Sequence, residues 1–288
     1  MELRVLRYFL TVAQEENITK AAALLHVTQP TLSRQLMQLE EELGSKLFLR
    51  SQYRIILTDA GMLLRRRAHE IVELADKTER EFAQSEGELT GEIAIGCGEA
   101  RSMTFLSRKI CSFRQLYPGV RFQIYSANAD DVKARLENGL LDLGLLMEPV
   151  DIGRYAFFRM PEKERWGVLA PKNSPLAEKE AVTPQDLLGI PLLHSGRERV
   201  IHELAGWFGD IYEQIEIAGT FNLILNAVNM VENGVGVALC FYLGELSGQL
   251  RFVPLSPPLE TGSVLVWKKD KPFSPAAMQF HQHIKNTD

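Results

Sequence analysis

The 288-residue sequence predicts an α/β protein with a small helical domain at its N-terminus, one long helix, and a larger C-terminal part. Two kinds of pattern predict this. Up to about residue 84 the apolar residues recur mostly at helical spacing. Beyond Gly91, short apolar runs alternate with helical segments, which is typical of an open sheet with parallel strands. The chain is also long enough for about two domains, each with its own core.

The charge is unevenly distributed along the chain. With 45% hydrophobic and 24% charged residues the composition is that of a globular protein, and the formal net charge is −5. Residues 1–67 contain ten Lys or Arg and seven Asp or Glu, a net charge of +3, which leaves −8 for the remainder. A basic end on an acidic protein indicates that this end approaches phosphate groups.

No apolar run reaches the roughly 18 to 20 residues that a membrane span needs, and the N-terminus carries charge where a signal peptide is apolar. We therefore expect a cytoplasmic protein with no membrane partner. Cys97, Cys111 and Cys240 are odd in number and far apart. They favour reduced thiols over a disulfide framework or a zinc site.

The first three predicted helices form a helix-turn-helix arrangement. The apolar residues of the first, supporting helix are Leu3, Leu6, Phe9, Leu10 and Ala13. A short alanine-rich helix, ITKAAALLH, follows with Asn17 or Thr19 as its N-cap. His26 and Val27 then make a tight turn into the next helix, as in helix-turn-helix proteins.

The third helix combines an apolar stripe with a polar tip. Thr28 suits its N-cap and Gly44 its left-handed C-terminal position. The stripe consists of Leu32, Leu36, Leu39 and Leu43, and the tip of Gln29, Pro30, Thr31, Ser33 and Arg34. Donors and acceptors at a helix N-terminus are what reading base edges in the major groove requires. An ordinary solvated helix start would show the same spacing.

The segment KLFLRSQYRIILTDAG predicts a β-ribbon beside this helix, a wing. Phe48 and Leu57 would point inward, and Arg50 and Arg54 outward, where each could neutralise a phosphate or enter a minor groove. The alternative is an exposed hairpin with ordinary surface charge.

The run NITKAAALLHVTQPTLSRQLMQLEEELGSKLFLR, followed by LTDAG, resembles the N-terminal domain of LysR-type transcriptional regulators over residues 1–61. The shared pattern includes paired alanines, Ser or Thr before Gln-Pro, then Leu-Glu, Leu-Gly and Leu-Phe. The resemblance implies double-stranded DNA as a partner. It places the DNA contacts on Gln29, Pro30, Thr31, Ser33, Arg34, Arg50 and Arg54. At the wing tip, SQY replaces a more basic turn.

From Ala60 to about Gln84 the sequence predicts one long helix. Its heptad seam consists of Leu64, Ala68, Ile71, Ala75, Thr78 and Phe82. Such a seam suits a partner helix, although a helix that packs on its own domain shows the same spacing. The resemblance favours dimerisation, because linker helices pair in this family.

The C-terminal part resembles the effector-binding domain of the same family, two α/β lobes joined by crossover strands, similar to periplasmic solute-binding proteins. The predicted domains are a winged helix-turn-helix at 1–59, a linker helix at 60–88 and an effector-binding domain at 89–288. Lobe I would comprise 91–163 with 268–288, and lobe II 164–267.

In such folds a ligand lies beyond the carboxyl ends of the strands. Ser102 would stand there at a helix N-terminus, where N–H groups and the helix dipole favour an anion, although Ser is also a common N-cap. The predicted effector-binding residues are Glu99, Arg101, Ser102, Met147, His194 and Ser195. A carboxylate or an amino acid is the expected effector, since Glu99 and Glu148 would repel a dianion and could hold an ammonium group.

Enzymatic function is disfavoured, because the sequence contains no glycine-rich phosphate loop, nucleophile elbow, HExxH or C-x-x-C. We expect no catalytic residues, no metal and no cofactor. A thiol-based redox regulator is an alternative, because Cys97 and Cys240 both end predicted strands. The sequence thus predicts a regulator that binds an interrupted inverted repeat and responds to a small molecule. The resemblance alone implies a dimer or tetramer and RNA polymerase as a partner.

Overall fold

The computed structural model describes residues 1–50, 55–82, 88–244 and 248–285, with only the backbone of residues 50, 80 and 81. The chain divides into two compact units, Met1–Gln84 and Ser85–Asp288. The predicted Arg54 contact lies outside the described residues, and so does the side chain of Arg50.

The N-terminal unit has the predicted winged helix-turn-helix fold. Its elements are α1 (Leu3–Glu15), α2 (Ile18–Leu24), α3 (Gln29–Leu43), β1 (Phe48–Arg50), β2 (Ile55–Leu57) and α4 (Asp59–Phe82). Strands β1 and β2 pair antiparallel. The core is closed around Phe9, Leu32, Leu36 and Leu39, all of which are fully buried. Leu43 was predicted in this stripe but is exposed, because it lies in the last helical turn.

The turns and caps of this unit follow from local sequence. The side chain of Asn17 accepts a hydrogen bond from the Lys20 N–H at 3.0 Å, so Asn17 caps α2. Thr28 caps α3 in the same way. His26 adopts a φ of 53°, the left-handed conformation that reverses the chain between these helices. Gly44 ends α3 with a φ of 62°.

Helix α4 packs its first half on its own domain. Ala68 is fully buried in the core of the N-terminal unit, and Leu64 and Val72 pack against the same core. Arg7 of α1 also forms an ion pair with Asp76 of α4. Leu64 and Ala68 are therefore not available for the predicted seam. Spacing alone gave no means of distinguishing the two faces.

The C-terminal unit contains two sheets. Its strands are β3 (Gly91–Cys97), β4 (Val120–Ser126), β5 (Leu143–Met147), β6 (Tyr155–Arg159), β7 (Glu164–Pro171), β8 (Leu192–Ser195), β9 (Ile217–Phe221), β10 (Val237–Phe241), β11 (Leu250–Pro254), β12 (Glu260–Thr261) and β13 (Ser263–Lys268). Its helices are α5 (Ser102–Leu116), α6 (Ala129–Glu137), α7 (Glu198–Phe208), α8 (Ile224–Glu232) and α9 (Pro275–Lys285).

Each sheet forms one lobe. Lobe I has the strand order β4-β3-β5-β13-β6, with β3 parallel to β4 and β5. Lobe II has the order β11-β7-β10-β8-β9, with β12 beside β7 and with β8 parallel to β9 and β10. The predicted mixture of strands and helices is confirmed, and the parallel strands of each sheet end at one edge.

One predicted lobe boundary is wrong. Strand β13 lies between β5 and β6 in the sheet of lobe I, so the chain returns to this lobe at Ser263 and not at Lys268. After Ser263 the run SVLVW is apolar and would be buried in either sheet, so its periodicity does not indicate which sheet it joins. Within the described ranges, no helix has the length and apolarity to cross a membrane.

Candidate functional site

The N-terminal tip of α3 presents a compact polar surface. Gln29, Pro30, Thr31 and Arg34 are exposed and Ser33 is half-buried. The Gln29 side-chain amide donates to the Ser33 hydroxyl at 3.2 Å, which fixes both groups on this face. The Thr31 hydroxyl lies 2.8 Å from that of Thr28.

Arg34 differs from its neighbours on this tip. Its guanidinium has no hydrogen bond or ion pair with any residue that the structure describes. The predicted DNA-reading residues of α3 thus lie together on one exposed surface, and its strongest donor is uncommitted. That is the arrangement that contact with base edges requires.

Glu40 connects the recognition helix α3 to the wing, a role that sequence reasoning missed. Its carboxylate accepts hydrogen bonds from the Leu47 N–H at 2.9 Å and the Phe48 N–H at 3.3 Å, and it forms an ion pair with Lys46 at 2.8 Å. Burial raises the pKa of Glu40, but these hydrogen bonds outweigh burial and hold the pKa below its ordinary value. The signal available in the sequence was an acid within the apolar stripe of α3.

In the C-terminal unit, a cleft of about 610 Å³ lies at the carboxyl ends of the strands of both sheets. Lobe I contributes the residues that follow β3 and β4 and the end of β5. Lobe II contributes the residues that follow β8 and the ends of β9 and β10. The polar lining residues include Glu99, Asn128, Asp130, Asp131, Ser195, Arg197, Glu198, Thr220 and Asn222. We call this cavity the interlobe cleft.

Three of the six predicted effector-binding residues line the interlobe cleft, namely Glu99, Met147 and Ser195. The other three are not among its lining residues. His194 is buried, and its Nδ1 lies 2.8 Å from the Ser195 carbonyl oxygen. Alternation along β8 places the side chains of these two neighbours on opposite faces of the sheet.

The predicted anion site at the start of α5 is already occupied by the chain itself. The Glu164 carboxylate accepts hydrogen bonds from the Ser102 N–H at 2.7 Å and the Arg101 N–H at 3.1 Å. Ser102 is also only 2% exposed. The prediction for Arg101 and Ser102 assumed a helix N-terminus with unsatisfied donors. Glu164 is more than sixty residues away in sequence, so local pattern gave no sign of it.

Glu99 makes a direct connection between the lobes. It follows β3 of lobe I, and its carboxylate accepts a hydrogen bond from the Ile224 N–H, the first residue of α8 in lobe II. A carboxylate at this position satisfies a donor that the start of α8 leaves open. The two lobes therefore touch through a residue that lines the interlobe cleft.

Arg197 is the second residue that sequence reasoning missed. It lines the interlobe cleft directly before α7, and its Nε is buried without a hydrogen-bond partner. Burial lowers the pKa of the guanidinium, while the Asp130 carboxylate opposes this shift. The available signal was a basic residue just beyond the carboxyl end of β8.

Comparisons with known proteins agree with this architecture. The family model "LysR substrate binding domain" matches residues 86–288, and the model "Bacterial regulatory helix-turn-helix protein, lysR family" matches residues 3–62. The chain belongs to the LysR family. It is thus a DNA-binding transcription regulator with an effector-binding domain, and not an enzyme.

Several LysR-family relatives align along most of the chain. The Hca operon transcriptional activator HcaR of Escherichia coli (strain K12) is 31% identical, covering 97% of this chain and 96% of HcaR. The transcriptional activator IlvY of Salmonella typhimurium is 29% identical, covering 83% of this chain and 82% of IlvY. The crystal structure of CbnR, a LysR family transcriptional regulator, has a TM-score of 0.79 at 21% identity and covers 100% of both chains. At that identity the likeness shows a shared fold.

The cysteines of this LysR-family chain do not favour the redox alternative. Cys97 and Cys240 are buried. Burial, with the Glu99 charge as a second cause, raises the pKa of the Cys97 thiol, and burial raises the pKa of Cys240 to about 12. Both thiols therefore stay protonated near neutral pH, and the thiolate is the reactive form. Among the described residues, no group of His, Cys, Asp or Glu has a metal-binding arrangement.

Proposed function

We propose that this regulator reads its DNA site with the tip of α3, binds as a dimer on an interrupted inverted repeat, and responds to a small molecule in the interlobe cleft. The observation that carries the DNA part is the exposed tip of α3 with its uncommitted Arg34. Arg34 suits a guanine edge, and Gln29 and Thr31 offer further donors and acceptors. A structure of CbnR complexed with its target DNA, with a TM-score of 0.77 to this chain, supports this use of the fold.

The dimer is proposed to form through a face of α4 that overlaps the predicted seam but is turned away from Leu64 and Ala68. The large apolar side chains of this helix that remain exposed include Leu63, Ile71, Leu74 and Phe82. Their separations of eight, three and eight residues place them on one face of the helix. Exposed apolar stripes of this kind are typical of protein interfaces. Ile71 and Phe82 belong to the predicted seam and keep their role, with Leu63 and Leu74 in place of Leu64 and Ala68.

The effector is proposed to act by bridging the lobes. A ligand shifts a conformational equilibrium only if it binds one form more tightly than the other. The interlobe cleft meets this condition, because Glu99 and Met147 come from lobe I and Ser195 and Thr220 from lobe II. By family resemblance we further propose assembly to a tetramer, contact with RNA polymerase and a cytoplasmic location.

Footprinting of the intact protein on the intergenic DNA beside its own gene tests the DNA part of this proposal. We expect two protected half-sites, separated by about one helical turn or a multiple of it, as two-fold symmetry requires. An Ile71→Asp variant should lose the paired protection, whereas a Leu24→Asp variant, with the charge on an exposed position of α2, should keep it. A single protected half-site with the wild type would contradict the dimer.

A further inference from the structure

We propose that the effector is a monocarboxylate with an apolar body, and that Arg197 binds its carboxylate. This inference rests on the proposed role of the interlobe cleft as the effector site. It assigns the acid contact to lobe II, directly after β8, instead of to the start of α5.

The state of Arg197 is the first observation. Its Nε is buried without a partner, and its guanidinium forms no ion pair within the described part of the chain. The residue as a whole is half-buried. A buried donor without a partner is unfavourable, and most buried polar groups in proteins are hydrogen-bonded. A carboxylate supplies two acceptor oxygens that match the guanidinium fork. A bound acid would therefore satisfy a group that the protein alone leaves unsatisfied.

Four acidic side chains line the interlobe cleft beside Arg197, and three of them already form a hydrogen bond or an ion pair within the protein. Glu99 accepts the Ile224 N–H, as described above. Asp130 forms an ion pair with Lys133 at 3.2 Å, and Asp131 accepts from the Asn128 side chain at 2.8 Å. Glu198 is exposed at the start of α7. A ligand ammonium thus meets three acids that already have partners and the exposed Glu198, whereas a ligand carboxylate meets an unpaired guanidinium.

The same acids limit the ligand to one negative charge. A second carboxylate would lie in a cleft that also contains Glu99, Asp130 and Asp131, and like charges at short range disfavour each other. We therefore expect the ligand to carry a single acid group.

Apolar side chains line much of the interlobe cleft. Its walls include Leu145, Met147, Val200, Leu239, Leu243, Trp166, Phe221 and Phe241. The rings of Trp166 and Phe241 lie with their centroids 4.4 Å apart, so they form one continuous aromatic surface. A volume of about 610 Å³ is large enough for a ring-bearing molecule. Burial of such a body against these side chains supplies the non-directional part of the affinity.

Calorimetry and thermal unfolding of the full-length protein test the inference with a defined set of probes. The probes are hexanoate, phenylacetate and 1-naphthylacetate, each with its matching amide and amine. We expect at least one acid to bind and to raise the melting temperature by mass action, and to bind more tightly than its amide or amine by about tenfold or more.

Two variants locate the site. Arg197→Gln removes the charge and should weaken the binding of that acid by about tenfold or more. Arg199→Gln changes an exposed arginine in the first turn of α7 that does not line the interlobe cleft, and this variant should bind the acid as the wild type does. Melting curves without ligand show whether each variant is folded. Arg197→Lys provides a second variant that keeps the positive charge but lacks the paired N–H donors of the guanidinium.

Three results would overturn the inference. Unchanged affinity of the acid for folded Arg197→Gln would remove Arg197 from the site. Tighter binding of an amine than of its acid would overturn the acid class and leave the interlobe cleft as the effector site. Failure of every acid, amide and amine to bind would overturn both this inference and the proposed effector site.

Discussion

The Glu99 carboxylate in lobe I accepts a hydrogen bond from the Ile224 N–H in lobe II. This hydrogen bond joins the two lobes, and Glu99 also lines the interlobe cleft. A ligand that enters beside Glu99 therefore acts on one of the contacts that connect the lobes. The relationship yields the first prediction.

Replacing Glu99 with Ala should release the Ile224 amide. The loss of one hydrogen bond to a charged group costs about 1.5 to 3 kcal/mol, which corresponds to about tenfold or more in the local opening equilibrium. Hydrogen exchange at the start of α8 measures it, with Glu198→Ala as the control. Glu198 lines the same cleft but makes no contact with α8 among the described hydrogen bonds. Equal exchange in wild type and Glu99→Ala would show that the contact does not hold the lobes.

Replacing Glu40 with Gln should destabilise the winged helix-turn-helix. The carboxylate binds two backbone N–H groups of the wing and Lys46, so its loss should cost about 1 to 3 kcal/mol. Denaturant unfolding of the full chain, followed by a probe in the N-terminal unit, measures this. Glu41→Gln is the matched control, since Glu41 is the exposed neighbour in the same helical turn. A similar small effect of both substitutions would contradict the role of Glu40.

The effect of Glu40 should depend on pH. Its folded-state pKa is lowered, so its contribution to the free energy of unfolding is fully present above the unfolded-state pKa. That contribution is lost as the pH falls through the folded-state pKa. The stability difference between wild type and Glu40→Gln should therefore shrink on acidification below the ordinary glutamate pKa. A difference that stays constant down to strongly acidic pH would contradict the ionised state.

Arg34→Ala should cost about 1 to 3 kcal/mol in binding to the specific DNA site and less on random DNA, because base contacts specify whereas phosphate contacts do not. Titrations at fixed salt on both duplexes measure the two losses. Arg4→Ala, an exposed arginine of α1, serves as the control. Equal losses on the two duplexes would assign Arg34 to the phosphate backbone.

Ile71→Asp should dissociate the dimer while the C-terminal unit stays folded, because an unpaired charge in a packed interface is unfavourable. Sedimentation gives the mass, and Leu24→Asp is the control with the same substitution on another exposed apolar residue. An unchanged mass with full helix content would exclude this face of α4 from the interface.

Thiol titration under native conditions should label one cysteine for each chain. Cys111 is exposed, whereas burial raises the pKa of both Cys97 and Cys240. Rapid labelling of Cys97 or Cys240 would return the redox alternative to consideration.

The sequence pattern correctly predicted features that depend on interactions between residues close together in the chain. The Thr28 and Asn17 caps, the Gly44 terminus and the buried leucines of α3 follow from spacings of a few residues. The position of the interlobe cleft also followed, because the parallel strands of a sheet end at one edge and the residues after them meet there.

The predictions that were wrong concern features that depend on contacts between segments far apart in the sequence. Glu164 binds the start of α5 from the other lobe, and no spacing around Ser102 indicated it. Strand β13 joins β5 and β6 after more than a hundred intervening residues. The face of α4 that carries Ala68 packs against the core of its own domain. Heptad spacing does not reveal whether such a face packs within its domain or against a second helix. Arg197 was overlooked because its lack of a partner is visible only in three dimensions.

The most direct test of the account is the affinity of the full-length protein for its DNA site, measured with and without an acid that binds the interlobe cleft, in wild type and in Arg197→Gln. Coupling between sites is reciprocal, so an acid that favours one arrangement of the lobes should change DNA affinity or the footprint in the wild type. The account predicts this change in the wild type, its loss in Arg197→Gln at the same acid concentration, and equal DNA binding by both proteins without acid. An acid that binds the cleft yet leaves the affinity and the footprint on DNA unchanged would contradict it.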